Sequence, residues 1–204
     1  MLRGHYEYAE RRALAGVFDP ALSVIECGAS IGVLACLINR RLANPEAHAV
    51  IEANPALLPL LERHRAMNGA RFQVVHGAIA YGAPDVAFAV SRDSLASRLG
   101  GAGSGGVRVP AVSLEEVAGR FGFLRFGLVC DIEGAEMAML EHDARTLTER
   151  AAWVLMESHR AADGRDLAPA VVEWFTSRGF RHVGTVDTVH AFVNPAAGIP
   201  PGTR

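Results

Sequence analysis

Short apolar runs that end on a glycine or a carboxylate alternate with helical stretches along the chain, and this alternation confines it to an α/β sheet. A run with period two, or apolar throughout, reads as a strand; a 3.6-residue period reads as a helix. Leu22–Cys27, Ala47–Glu52, Phe72–His76, Phe126–Asp131 and Ala152–Glu157 read as strands, with Asp85–Val90 a shorter one. Helices are expected over Val33–Leu42, from Asn54-Pro55 to Asn68 before Gly69, over Gly134–Leu147, and over Leu167–Arg178 before Gly179. Another starts at the Ser113-x-x-Glu116 capping box and ends near Gly119–Gly122. Leu57, Leu60 and Leu61 should share the face that packs on the sheet. Phe180–Val186 and Val189–Val193 form a closing hairpin across Asp187-Thr188. Such alternation demands a parallel sheet covered on both faces, with the hairpin adding an antiparallel element at one edge.

At 204 residues the chain suits one domain: an N-terminal helical segment (1–20), a core (22–194) and a tail (195–204). The glycine-rich run Gly100–Gly106 is expected to be a mobile surface loop. A net charge of −2 argues against a dedicated nucleic-acid binder. No apolar run approaches the ~18–20 residues that span a bilayer, so no membrane role is expected. The charged opening MLRGHYEYAERR does not read as a secretory signal. Cys27, Cys36 and Cys130 form no C-x-x-C pair and sit among apolar neighbours, as buried thiols of a cytoplasmic protein would. The chain contains no lysine, which excludes a Schiff base, a P-loop lysine and a lysine base. Trp153 and Trp174 are expected in or near the core, and His64, between Arg63 and Arg65, facing solvent.

In a doubly wound sheet, ligands bind beyond the carboxyl ends of the strands, where the strand order reverses. The first strand delivers Glu26-Cys27-Gly28-Ala29-Ser30-Ile31-Gly32 to such an end. Its glycines permit a tight turn and a close ligand, but the spacing is G-x-x-x-G, not the dinucleotide pattern G-x-G-x-x-G. Glu52 ends the second strand, 24 positions after Gly28, where a carboxylate can accept both hydroxyls of a ribose. Together these features favour a ribose-containing ligand and leave NAD and S-adenosylmethionine both open. A third group, Asp131-Ile132-Glu133-Gly134-Ala135-Glu136, places three carboxylates after the fourth strand.

The glycine turn, the Glu52-Ala53-Asn54-Pro55 segment, the Asp131–Glu136 run and Glu157-Ser158-His159 together resemble the FkbM-type S-adenosylmethionine-dependent methyltransferases over about residues 22–194. The resemblance implies the class I methyltransferase (Rossmann-like) fold: a seven-stranded, mostly parallel sheet with a reversed last strand and helices on both faces. It implies cofactor contacts at Glu26, Gly28, Ala29, Ser30 and Gly32, at Glu52, Ala53 and Asn54, at His76, Gly77 and Ala78, and at Asp131 beside the sulfonium. It also implies O-methylation of a small-molecule or glycan acceptor, a hydroxyl of a sugar or secondary metabolite. Val129 stands where the family usually carries lysine, Ser30 where asparagine is common, and Ala53 where proline is common. His159, Asp131 and Glu157 are the catalytic candidates for removing the hydroxyl proton, with Glu133 beside them. Glu157 is a candidate to orient His159 or to hold substrate, and Glu136 to serve the helix start. No metal is expected; Asp131 and Glu133 are the alternative ligand pair for a hard divalent ion. The competing readings are an NAD-linked oxidoreductase and a non-catalytic binding module.

Overall fold

The period of two that marks the strands in sequence is the period with which they divide their side chains between two layers. The computed structural model describes residues 7–89, 98–99, 106–161 and 163–197. Along them run α1 (Tyr8–Leu14), β1 (Ser23–Cys27), α2 (Val33–Asn39), β2 (His48–Glu52), α3 (Leu58–Met67), β3 (Gln73–His76), β4 (Ala78–Ile79), β5 (Asp85–Ala89) and β6 (Arg98–Leu99). Then come β7 (Val107–Val112), α4 (Leu114–Arg120), β8 (Phe126–Cys130), α5 (Glu136–His142), α6 (Ala144–Arg150), β9 (Ala151–Glu157), α7 (Ala168–Ser177), β10 (Arg181–Val186) and β11 (Val189–Val193). Ile25, Ile51, Leu128 and Met156 pack with Leu114, Met139, Leu147 and Phe175 of the later helices on one face. Val24, Val129 and Leu155 pack with Leu14, Leu34 and Ile38 of α1 and α2 on the other.

The main sheet has the order β10-β11-β9-β8-β1-β2-β3. β1, β2, β3, β8 and β9 are parallel, and β11, last in the chain, is antiparallel to both β9 and β10. The expected class I methyltransferase (Rossmann-like) arrangement therefore forms, reversed last strand included. Strand order reverses at β1, flanked by β2 and β8. At that point the Asp131 N–H donates to the Cys27 carbonyl at 3.0 Å, which brings the two strand ends together. Next to it, β8 carries Gly127 opposite Trp153 of β9. A Cβ on Gly127 would lie 2.0 Å from the indole ring, so the buried Trp153 occupies the space a side chain would need.

Elsewhere the chain departs from its sequence pattern. The helix expected over Gly134–Leu147 breaks at Asp143, whose carboxylate accepts hydrogen bonds from Tyr81 Oη (2.5 Å), Leu114 N (2.9 Å) and Glu115 N (3.2 Å). Asp143 thus serves the first turn of α4. The helix expected to Leu42 ends at Asn39, and α3 begins at Leu58, after a turn at Pro55. Leu57 and Leu61 are buried, but Leu60 is 43% exposed. A second sheet, β4-β7-β5-β6, was not expected: β7 contains Pro110 and follows the glycine-rich run, both of which argue against a strand in sequence. Its core is Ala78, Phe88 and Val109. Asp85–Ala89 accordingly belongs to this smaller sheet. Apart from Gly106, the Gly100–Gly106 run lies outside the described residues. The Ser113–Glu116 capping box forms as read, with both reciprocal hydrogen bonds. All three cysteines are buried and free; Trp153 is buried in the core, and Trp174 is partly buried against the separate cluster that holds Phe175. No helix among the described residues is long and apolar enough to cross a membrane.

Candidate active site

The turn after β1 holds three consecutive alternate positions in the left-handed region: Gly28 (φ 84°), Ser30 (φ 51°) and Gly32 (φ 80°). At Gly28 only glycine fits, because a Cβ would come within 1.7 Å of the Asp131 carbonyl oxygen. At Gly32 the conflict is with Leu61 Cδ1, at 2.3 Å. His64 Nδ1 lies 2.7 Å from the Ile31 carbonyl, so this half-buried histidine ties α3 to the turn instead of facing solvent.

Two adjoining clefts open at the strand ends. The first, of about 620 Å³, is lined by Gly28, Ser30, Glu52, Ala53, Asn54, Gly77, Ala78 and Asp131, with Leu57, Phe88, Ile132 and Ala135 supplying apolar walls. Glu52 is buried, and each of its oxygens accepts one backbone N–H, from Ser30 at 2.7 Å and from Asn54 at 2.6 Å. Each carboxylate oxygen can accept again, so both remain competent for sugar hydroxyls. Burial raises the Glu52 pKa, against the N–H donors of Asn54, Ser30 and Ala53. Asn54 is 1% exposed; its side-chain oxygen takes the Ala56 N–H, while Nδ2 is buried with no hydrogen-bond partner. An orphaned buried donor is costly, and here it belongs to a residue of the cleft wall.

The second cleft, of about 900 Å³, shares Gly28, Ser30, Asp131 and Glu133 with the first. It adds Glu7, Glu10, Glu26, Val129, Glu157 and His159. Among the described residues that line it, His159 is the one that can carry a positive charge. Burial and the crowd of carboxylates push protons onto these groups: burial and then Glu26 raise Glu7 to about 9, and burial and then Glu157 raise Asp131 to about 8. Burial, followed by Glu10, raises Glu26 to about 8. Behind Glu26 lies His48, wholly buried, its Nε2 3.4 Å from Glu26 Oε2; burial lowers His48 to about 3, so the two form an uncharged pair. The sign of the consequence follows. Glu26 ionises near 4.5 when unfolded and near 8 when folded, so its protonation favours the native state below that window and ceases to do so across it. The melting temperature should fall as pH rises from about 5 to 8, and Glu26→Gln should flatten that dependence in a thermal-melt series. An unchanged slope would assign the effect to other groups.

His159 stands 3.4 Å through Nε2 from both Asp131 Oδ1 and Glu133 Oε2, and 2.7 Å through Nδ1 from Glu136 Oε1. Burial alone would lower its pKa, but the hydrogen bond to Glu136 and the charges of Glu136, Asp131 and Glu133 raise it to about 9. Glu136 is fully buried and also accepts the Gly134 N–H, so its role at the helix start is joined by one the sequence did not reveal. Glu157 does not orient His159; it accepts from Thr188 Oγ1 at 2.8 Å. Of the other expected contacts, His76 is exposed and outside both linings, and Ala29 and Gly32 shape the turn without lining either cleft. Glu7, Glu10 and His48 were missed. They come from the start of the first helix and a buried strand position, and nothing local marks them.

The residues present could hold an adenosyl ligand: Glu52 keeps acceptor capacity for hydroxyls, Asn54 Nδ2 is an unpaired donor, and Gly28 allows a close backbone approach. The methyltransferase FkbM domain model matches residues 26–182. No curated protein matches the chain. Among solved structures, the methyltransferase FkbM from Methylobacillus flagellatus is similar over 86% of this chain and 44% of its own, at 18% identity and TM-score 0.52. The precorrin-6y C5,15-methyltransferase from Geobacter metallireducens is similar over 89% and 84%, at 12% identity and TM-score 0.53. An uncharacterized protein from Listeria monocytogenes is similar over 90% and 66%, at 10% identity and TM-score 0.54. The chain thus spans less than two thirds of the Listeria protein and less than half of the FkbM structure. At such identities these likenesses concern the fold.

Proposed function

Because the chain belongs to the FkbM family of methyltransferases, whose cofactor is S-adenosyl-L-methionine, we propose that it transfers the cofactor's methyl group to a hydroxyl oxygen of a sugar or secondary metabolite. The observation that carries the reading is that the Glu52 carboxylate and the unpartnered Asn54 Nδ2 belong to the wall of one cleft, which Asp131 also lines. Glu52 and Asn54 would hold the ribose, Gly77, Ala78 and Phe88 would enclose the base, and Glu26 would face the amino group. S-adenosylmethionine, when bound, supplies a methyl group on a positively charged sulfur. The chain's part is to aim that methyl at the acceptor and to receive the hydroxyl proton. Asp131, whose backbone abuts Gly28, would serve the first task, and the linked set Asp131, Glu133 and His159 would serve the second.

Labelled methyl from S-adenosylmethionine, offered with a panel of sugars and secondary alcohols, should appear as an O–CH₃ ether in the product's NMR spectrum. Transfer to nitrogen or carbon would refute the oxygen assignment. Measured above pH 9, where the imidazole has lost its proton, His159→Ala should lower kcat by about 10²-fold or more while the Kd for S-adenosylhomocysteine stays within about twofold, since positioned proton acceptors contribute on that scale. Unchanged turnover would remove His159 from the chemistry.

A further inference from the structure

The spacing around His159 differs between its two ring nitrogens. An imidazolium bound to a carboxylate brings nitrogen and oxygen to about 2.7–2.9 Å, and His159 achieves this on one side only, with Glu136 at 2.7 Å. Its other nitrogen lies 3.4 Å from one oxygen of Asp131 and 3.4 Å from one oxygen of Glu133, within ion-pair reach of both but longer than the short hydrogen bond on the opposite side. All three atoms lie within 4.8 Å of one another. An ion about 2.1 Å from two such atoms would see them at roughly 110°, close to the angle between ligands in a four-coordinate shell. Asp131 Oδ1 is shielded from solvent and has no hydrogen-bond partner. Glu136, buried behind the ring, fixes Nδ1 as the donor and leaves Nε2 to face the carboxylates, as the outer carboxylate of a metal-bound histidine does.

We propose that Asp131 Oδ1, Glu133 Oε2 and His159 Nε2 form a site for one divalent transition-metal ion, oriented by Glu136. The mixture of one imidazole and two carboxylates suits Zn²⁺, Mn²⁺ or Fe²⁺ better than a purely oxygen-loving ion. Three protein ligands leave further positions open, and these face the second cleft, which His159 and Glu157 line together. The ion's task rests on the methyltransferase reading: there an acceptor hydroxyl would meet a Lewis acid that favours its deprotonated form. Binding of the ion itself does not depend on that reading.

The test uses the full chain and Mn²⁺, whose EPR signal is lost on binding. One Mn²⁺ per chain is expected with a Kd in the micromolar range, and His159→Ala should weaken it at least tenfold. Glu136→Gln, which alters only the group behind the ring, should weaken it by a smaller factor, and Glu10→Gln should leave it unchanged. A ¹⁴N hyperfine coupling should be present in the wild type and absent from His159→Ala. No saturable binding below millimolar Mn²⁺, or binding that survives His159→Ala, overturns the proposal. Binding lost in Glu10→Gln and kept in His159→Ala also overturns it, by placing the ion among Glu10, Asp131 and Glu157, whose oxygens lie within the same 4.8 Å. S-adenosylhomocysteine is titrated in parallel: cofactor binding without Mn²⁺ sinks the metal site alone, and Mn²⁺ binding without cofactor sinks the methyltransferase reading alone.

Discussion

Gly28→Ala is expected to abolish S-adenosylhomocysteine binding and to lower the melting temperature by about 4–20 °C. Two costs add. A non-glycine residue in the left-handed region costs about 1–2 kcal/mol, and Gly28 sits at φ 84°. The added methyl carbon would also be 1.7 Å from the Asp131 carbonyl oxygen, a backbone atom that cannot swing aside. Relief requires the ends of β1 and β8 to part, at an overpacking cost of about 1–3 kcal/mol, and the gap opens where the sulfonium would lie. Gly69→Ala is the matched control. Gly69 has φ 61° but nothing within 4 Å of its would-be Cβ, so it carries the backbone cost without the collision. Calorimetric binding by Gly28→Ala equal to that of Gly69→Ala would mean that the strand ends are not held as described.

Glu52→Ala should reduce affinity for S-adenosylhomocysteine at least 100-fold, or about 2.7 kcal/mol. The carboxylate accepts backbone N–H groups from Ser30 and Asn54 on separate oxygens, so its loss strips acceptors from two donors as well as from the ribose. Leaving such donors buried and unpaired costs about 1–3 kcal/mol each, and the turn after β1 would loosen with the loss. Glu52→Gln should fall between, because one oxygen remains while an amide donor confronts the other N–H. Wild-type affinity in Glu52→Ala would place the ribose elsewhere in the cleft.

What the sequence made legible is what local pattern encodes. Short apolar runs drew the strands, and Gly28, Glu52 and Asp131 declared themselves by standing at strand ends in the order that a doubly wound sheet uses. The remainder depends on approach through space. Glu136 looks in sequence like any acid in a helix's first turn; only the juxtaposition of β8 and β9 brings it to His159, 23 residues away. Asp143 lies inside an unbroken helical pattern, and the demand of Leu114 and Tyr81 for an acceptor is what breaks it. His48 occupies a buried strand position where an apolar residue would read the same, and its meaning appears only once Glu26 is found beside it. Glu7 and Glu10 become part of the site because α1 folds back over the strand ends.

The notch that Gly127 leaves for Trp153 acts as a key between neighbouring strands. If β9 slid by one residue along β8, the indole would have to displace Phe126 or Leu128, so only one alignment of the pair can close. Asp131 continues one of these strands and His159 the other. The height of the carboxylate against the imidazole is thus set by a ring several residues below them, in the dry interior, where no ligand reaches.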